Sequence, residues 1–137
     1  MPVQHHSFTV SSHEKYQVLD VTTEVARFVE ASGVEDGLCA VYTPHATAAV
    51  TINENDDPNI GLDLVRALAR MVPEHDGWLH DRIDDNAAAH IKAAIIGPSE
   101  TIPIVKGKLA LGTWQNVFLC ELDGPRASRR VLVSIYR

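Results

Sequence analysis

The sequence predicts an α+β fold, in which a mainly antiparallel sheet of sandwich or barrel type carries about three helices. Three observations lead to this prediction. Runs rich in β-branched residues near both ends of the chain indicate strands, and three amphipathic segments between them indicate helices. The late strands follow one another through short turns, which favours antiparallel pairing. The length of 137 residues fits a single domain over residues 1–137 with a core of its own.

Composition and charge exclude several classes of function. Apolar residues make up 45% of the chain and charged residues 22%, as in ordinary globular proteins. The net charge of −6 offers no general attraction to nucleic acid or anionic membrane, so we expect neither as a partner. No apolar run approaches the ~20 residues of a membrane span, and the N-terminus lacks a signal-peptide pattern. Cys39 and Cys120 lie in apolar runs, typical of reduced thiols in a cytoplasmic protein; a disulfide is the less favoured alternative.

The strands are predicted from apolar runs that end at turn residues. They cover residues 3–10, 16–21, 38–43, 102–105, 109–111, 113–122 and 129–136, and the two arms of a corner within residues 41–55. Only a short turn separates the first two strands, so we expect them to pair as a hairpin. The strand over 113–122 would place Trp114 and Gln115 on opposite faces. A tryptophan there is more often a core residue than a ligand platform, which would leave Gln115 free to bind substrate or a neighbouring subunit.

Three helices are predicted over residues 23–32, 58–72 and 86–96 because apolar residues recur there at helical spacing. Thr22 can cap the first helix and Gly33 can end it, whereas Pro58 suits the first position of the second helix. The expected buried stripes are Val21, Val25, Phe28 and Val29 in the first helix, Ile60, Leu64, Leu68 and Met71 in the second, and Ala87, Ile91, Ala94 and Ile95 in the third.

Three histidines are the candidates for a metal or catalytic centre. His45 lies at the corner between two strand arms, where its side chain can point out of the sheet. His80 lies in a loop with little periodicity, and His90 lies on the flank of the third helix's apolar stripe. Three imidazoles suit zinc and leave a fourth position for water or substrate. Their spacing matches no short zinc motif, however, and each can instead be an ordinary hydrogen-bonded histidine.

Acidic and amide side chains complete the candidate site. Glu54 and Asp63 have no evident structural role, so both are candidates to act as a base or to orient a histidine, and with His45 they form the predicted catalytic set. The candidate substrate-binding residues are Asn55, Asn86, Trp114, Gln115 and Arg126. Asn86 can instead cap the third helix. Arg126 can clamp a phosphate or carboxylate, or it can be an exposed arginine with no such role.

Four segments of the chain resemble one protein family. They read TPHATAAVTINENDDP, NAAAHIKAAIIGPS, IPIVKGKLALGTWQNV and ELDGPR. Together they resemble the YjbQ-like family, also named secondary thiamine-phosphate synthase enzymes, over residues 37–133. The run from Ser99 through Gly107 to the Gly112-Thr113-Trp114-Gln115 segment is the most specific part. The segment TPHATAAV is an alanine variant of the family's His-Thr-Thr-Ala pattern and lacks one hydroxyl near His45, which is the one departure we note.

The resemblance implies a compact α+β fold that assembles as a homotrimer, with a polar site near the subunit contacts. It implies that His45, His80 and His90 form the site, often with a divalent metal, zinc for the imidazoles or magnesium for diphosphate chemistry. It also implies a weak thiamine-phosphate synthase activity, in which a hydroxymethylpyrimidine diphosphate is joined to a thiazole phosphate and diphosphate is expelled. Such a reaction needs positive charge near the diphosphate, and a tryptophan facing the pocket would stabilise a cationic centre.

Two alternatives remain open on the same residues. A zinc-dependent hydrolase could use the three histidines with Glu54 as its base. A trimeric protein that binds a small anion without catalysis would need the same polar pocket but no reaction.

Overall fold

The computed structural model describes residues 3–137 and contains eight strands and three α-helices. In chain order the elements are β1 (Val3–Val10), β2 (Gln17–Asp20), α1 (Thr22–Ser32), β3 (Gly37–Tyr42), β4 (Ala48–Asn53), α2 (Asn59–Met71), a 3-10 turn (Leu79–Arg82), α3 (Ala87–Ile96), β5 (Ser99–Val105), β6 (Lys108–Leu109), β7 (Asn116–Glu121) and β8 (Arg129–Tyr136). The longest of these helices, α2, has 13 residues, and none in the described chain is long and apolar enough to cross a bilayer.

The strands form two antiparallel sheets, which confirms the predicted fold class. One sheet has five strands in the order β1-β8-β3-β5-β6, and the other has three in the order β2-β7-β4. The predicted hairpin between the first two strands is wrong, because β1 pairs with β8 and β2 pairs with β7. The chain changes sheets at Ser12, whose backbone N–H donates to the carbonyl of Arg126, at an N···O distance of 2.8 Å, instead of continuing a hairpin.

The main core lies between the two sheets and is closed by α1. Its buried residues come from both sheets, with Val41 and Val133 on one side and Val50 and Leu119 on the other. Helix α1 adds its predicted stripe, in which Val21, Val25 and Val29 are buried and Phe28 packs against the core. Gly33 ends this helix with φ of 71°, the left-handed conformation that favours glycine and that its position predicts.

Helices α2 and α3 cover the other face of the three-stranded sheet. The second core contains Ala49 and Phe118 from this sheet and Leu68 and Ala93 from the helices. The stripe predicted for α3 is confirmed at Ala87 but wrong at Ala94 and Ile95, which are exposed. The buried residues of this helix are Ala87, Ala88, Ala89, Lys92 and Ala93. Alanine favours the helix on every face, so an alanine-rich helix gives a weak periodic signal. The stripe predicted for α2 is also wrong at Met71, which is 67% exposed at the end of that helix.

The segment before β7 differs from the predicted long strand. Strand β7 begins at Asn116, so Trp114 and Gln115 lie in a turn, where the Gln115 side chain accepts a hydrogen bond from the Gly112 N–H at 2.8 Å. Trp114 is 58% exposed, and its predicted place in the core is wrong. Cys39 and Cys120 are both buried and free, as expected.

Candidate functional site

The start of β4 and the side of α3 form an open cleft of about 300 Å³. His45 and His90 both line it, together with Ala46, Ala48, Ala93, Ala94 and Pro98. The two histidines line the same cleft because α3 packs against β4 through small residues. Buried alanines of α3, Ala89 and Ala93 among them, allow the helix to approach the strand closely.

His80 lies directly beside His90. The two imidazole rings meet edge to face, with their centroids 4.7 Å apart. The His80 Nε2 atom is buried and has no hydrogen-bond partner, since the closest carboxylate oxygen, on Asp84, is 3.8 Å away. The three histidines named from the sequence thus occupy one region, His45 and His90 across the cleft and His80 against His90. No three His, Cys, Asp or Glu side chains between residues 3 and 137 are grouped so that they could hold a metal ion.

His45 is held by the backbone of β8. The Arg130 backbone N–H donates a hydrogen bond to His45 Nε2 at 2.9 Å. The pKa of His45 lies below its ordinary value, first because the ring is partly buried and then because Arg129, Arg126 and Arg130 place positive charge nearby, which outweighs the opposing effect of Glu121. The imidazole is therefore neutral at pH 7.

A buried ion pair lies beneath the His45 end of the cleft. Glu121 is fully buried and Arg129 is 4% exposed, and the guanidinium binds both carboxylate oxygens. Arg129 also donates to the Thr47 hydroxyl at 2.9 Å, and Glu121 accepts from the Ser12 hydroxyl at 2.6 Å. Burial alone would raise the pKa of Glu121, but the hydrogen bonds from Arg129 and Ser12 lower it overall. This pair joins the end of β7 to the start of β8.

Sequence reasoning missed this pair, although a signal was present. Arg129 is one of several arginines near the C-terminal end, and its sequence position alone does not distinguish it from Arg126, Arg130 or Arg137. Glu121 is the one charged residue in the apolar strand NVFLCE, and a charge inside such a strand requires a buried partner.

Asn86 and Arg126 meet at Asp123. The Asn86 amide donates to the Asp123 carboxylate at 2.9 Å, and the Arg126 guanidinium donates to the same oxygen at 3.0 Å. The Asn86 Oδ1 atom is buried without a partner. Asn86 precedes α3, whose His90 lies one turn further on, so both predicted binding residues lie in the same part of the fold as the histidines.

The other predicted site residues lie at the opposite end of β4. This strand begins at Ala48, opposite Glu121, and ends at Asn53, opposite Asn116. Six strand residues span roughly 17–20 Å, so Glu54 does not reach the histidines within one chain.

Further residues share that end of the strand or lie on the helix that follows it. The Asn55 amide donates to the Asp20 carboxylate at 2.9 Å, and Asp63 is exposed on α2. Trp114 and Gln115 precede Asn116 and so belong to this end as well. The structure therefore separates the predicted set into a group with His45 and a group that lies elsewhere.

Similar proteins have been described in archaea and bacteria. The family described as "UPF0047 protein YjbQ-like" matches residues 6–137. A UPF0047 protein of Archaeoglobus fulgidus is 44% identical over 125 residues, which cover 91% of this chain and 95% of that protein. The UPF0047 protein YugU of Bacillus subtilis is 38% identical over 118 residues, covering 85% of this chain and 88% of YugU.

Solved structures share the same architecture. A YbjQ-like protein of unknown function from Sulfolobus solfataricus superposes with a TM-score of 0.94 at 38% identity, covering 97% of this chain and 96% of that one. A hypothetical protein from Aeropyrum pernix superposes with a TM-score of 0.92 at 42% identity, covering 96% of this chain and 97% of that one. The fold, the matched length and the identity agree, and the chain belongs to the YjbQ-like UPF0047 family.

Proposed function

We propose that the protein is a transferase of the thiamine-phosphate synthase type, which binds a small phosphorylated substrate in the histidine cleft. The reaction would join a hydroxymethylpyrimidine diphosphate to a thiazole phosphate as a weak side activity. One observation carries the proposal: His45, His80 and His90, far apart in the sequence, occupy one region, with arginine charges acting on His45.

Arginine side chains near the cleft could supply the positive charge that a leaving diphosphate requires. Arg129 is buried and neutralised by Glu121, so the exposed Arg130 is the first candidate to bind phosphate oxygens. Arg126 is exposed too, although its guanidinium also pairs with Asp123. Arg126 is already oriented by Asp123, which also holds Asn86. These side chains would stabilise the negative charge that develops as diphosphate leaves.

We propose that a divalent metal would have two protein ligands here, since no three His, Cys, Asp or Glu side chains of residues 3–137 are grouped to hold one. The buried His80 Nε2 has no partner, as expected for a nitrogen that binds an ion, and His90 lies against the same ring. His80 and His90 would therefore hold the ion, which when bound supplies positive charge to phosphate oxygens.

The hydrolase alternative is less well supported. It requires a base beside the metal, and Glu54, the base expected from the sequence, lies at the far end of β4. Trp114 lies at that end too, so neither residue contributes to the cleft of its own chain. We therefore favour a transferase in which positive charge and positioning provide the catalysis.

A homotrimer is part of the proposal. The outer face of the five-stranded sheet exposes Leu38, Tyr42, Val105 and Tyr136, side chains of the kind that subunit contacts cover. We also propose a cytoplasmic location, because Cys39 and Cys120 are both free thiols and reduced cysteines are typical of that compartment.

The test is a coupling assay with the two thiamine precursors. His90→Ala should reduce kcat/KM at least ~100-fold, the usual contribution of a positioned catalytic group, whereas His13→Ala, at an exposed histidine outside the cleft, should leave kcat/KM unchanged. Equal rates for the wild-type protein and His90→Ala would refute the proposal. A rise in melting temperature with pyrophosphate, together with no turnover, would instead support the non-enzymatic anion-binding alternative.

A further inference from the structure

We infer that His45 acts as a hydrogen-bond donor to a substrate oxyanion through Nδ1 and is not a metal ligand. The inference rests on the proposed function in that the cleft binds a phosphorylated compound. It departs from the three-imidazole metal site that the family resemblance implies, because only His80 and His90 retain that role.

The first step is the fixed partner of Nε2. A peptide N–H can only donate, so the 2.9 Å contact from Arg130 requires an unprotonated Nε2. A neutral imidazole then carries its proton on Nδ1.

The donor itself is held on several sides. Arg130 belongs to β8 and pairs with Thr9 of β1, and its carbonyl accepts a hydrogen bond from the Thr43 hydroxyl at 2.9 Å. The preceding residue, Arg129, is fixed by the buried Glu121. The peptide that determines the tautomer of His45 therefore cannot move without disrupting the sheet.

The second step concerns the metal. Coordination through Nε2 would displace the Arg130 N–H and leave it without its acceptor. Coordination through Nδ1 would move the proton to Nε2, so that two N–H groups would face each other. Either arrangement loses a hydrogen bond that the fold supplies, whereas the His80 Nε2 has no such bond to lose.

The third step is the choice of an anion as ligand. The cleft around His45 is lined by alanines, a proline and His90, with no carboxylate among its described lining residues. The charges that act on His45 come from three arginines and from Glu121, which is already paired with Arg129. An Nδ1–H in this positive surrounding matches an oxygen of a phosphate or diphosphate.

The direct test is the tautomer of His45, read by long-range ¹H–¹⁵N correlation spectra of the full chain at pH 7. We expect the Nδ1–H form, with the signal assigned by its loss in His45→Asn. Adding pyrophosphate should shift the His45 signals, and adding zinc should shift those of His80 and His90 but leave the His45 tautomer unchanged. An Nε2–H form, or zinc coordination by His45, would overturn the inference.

A matched pair of variants provides the second test. The amide of His45→Asn lies at about the position of Nδ1 and can still donate, whereas His45→Ala cannot. We expect pyrophosphate affinity within about threefold of wild type for His45→Asn and at least ~10-fold weaker for His45→Ala, and zinc content unchanged in both. Loss of zinc from both variants would refute the inference. Because none of these measurements needs turnover, failure of the coupling assay alone would reject the proposed reaction and not this role of His45.

Discussion

The buried pair of Glu121 and Arg129 should make a large contribution to stability that depends on both partners. We predict that Arg129→Met, which keeps the length and apolar character of the side chain, destabilises the fold by ~3–5 kcal/mol at pH 7. The reason is that Glu121, with no exposed surface, would keep its charge without its cation, and Thr47 would lose its donor.

This loss can be compared with the total free energy of unfolding of the protein. At ~0.05–0.15 kcal/mol per residue, a chain of 137 residues has a free energy of unfolding of ~7–20 kcal/mol. The variant should therefore still fold, with a melting temperature lower by about 10–17 °C. Replacing both partners, in Glu121→Met with Arg129→Met, removes the buried charge altogether and should restore stability to within ~2 kcal/mol of wild type.

Urea unfolding at pH 7 and pH 5 tests this reasoning. In Arg129→Met the pKa of Glu121 should rise above its ordinary value, since burial would act without the guanidinium. The carboxyl would then gain a proton as the pH falls, so the loss should be smaller at pH 5 than at pH 7. Arg130→Met, at the exposed neighbouring position, is the matched control and should change stability by less than ~0.5 kcal/mol. A loss below ~1 kcal/mol in Arg129→Met, or one that does not depend on pH, would refute the argument.

Three further predictions follow from burial and exposure. Lys92 is 1% exposed and donates to the Tyr16 hydroxyl, and burial lowers the pKa of its ammonium group. Because a buried charge is costly, Lys92→Met should leave the free energy of unfolding in urea unchanged or raise it by ~1 kcal/mol. A loss above ~2 kcal/mol would contradict this prediction. Leu38→Asp should convert the proposed trimer to monomers in analytical ultracentrifugation, whereas Leu62→Asp, at an exposed leucine of α2, should not. A monomeric wild-type protein would reject the trimer. In the wild-type protein, the hydrogen bonds to Glu121 lower its pKa from the ordinary value of 4.5, so they stabilise the fold at every pH above 4.5. Acid unfolding should show this stabilisation disappear as the pH falls through the lowered pKa.

Local features of the fold were predictable because they depend on neighbouring residues. Apolar spacing predicted all three helices, and Gly33 marked the end of the first. The partners of the strands were not predictable in this way. The sequence of β1 shows which of its faces is apolar, but its pairing with β8 depends on residues more than a hundred positions away.

The candidate site was likewise predictable in part, in the identity of its residues but not in their arrangement. His45, His80 and His90 were recognisable as chemically capable residues, and the structure places them in one region. Glu54 was grouped with His45 because it has no evident structural role, yet the strand between the two residues separates their side chains by its full length. Residues at the two ends of one extended strand lie far apart, so the predicted strand between His45 and Glu54 already argued against a shared site.

The start of β8 links the stability of the fold to the chemistry of the cleft. Arg129 fills a buried position with its side chain, and the next residue, Arg130, uses its backbone N–H to fix the tautomer of His45 and exposes its own guanidinium. Alternation along a strand places these two side chains on opposite faces, one in the interior and one outside. A shift of one residue in the pairing of β8 would bury Arg130 and remove the donor from His45 at the same time. The buried Arg129 and the buried Val131 and Val133 therefore favour the same register of β8, and this is the register that the cleft requires.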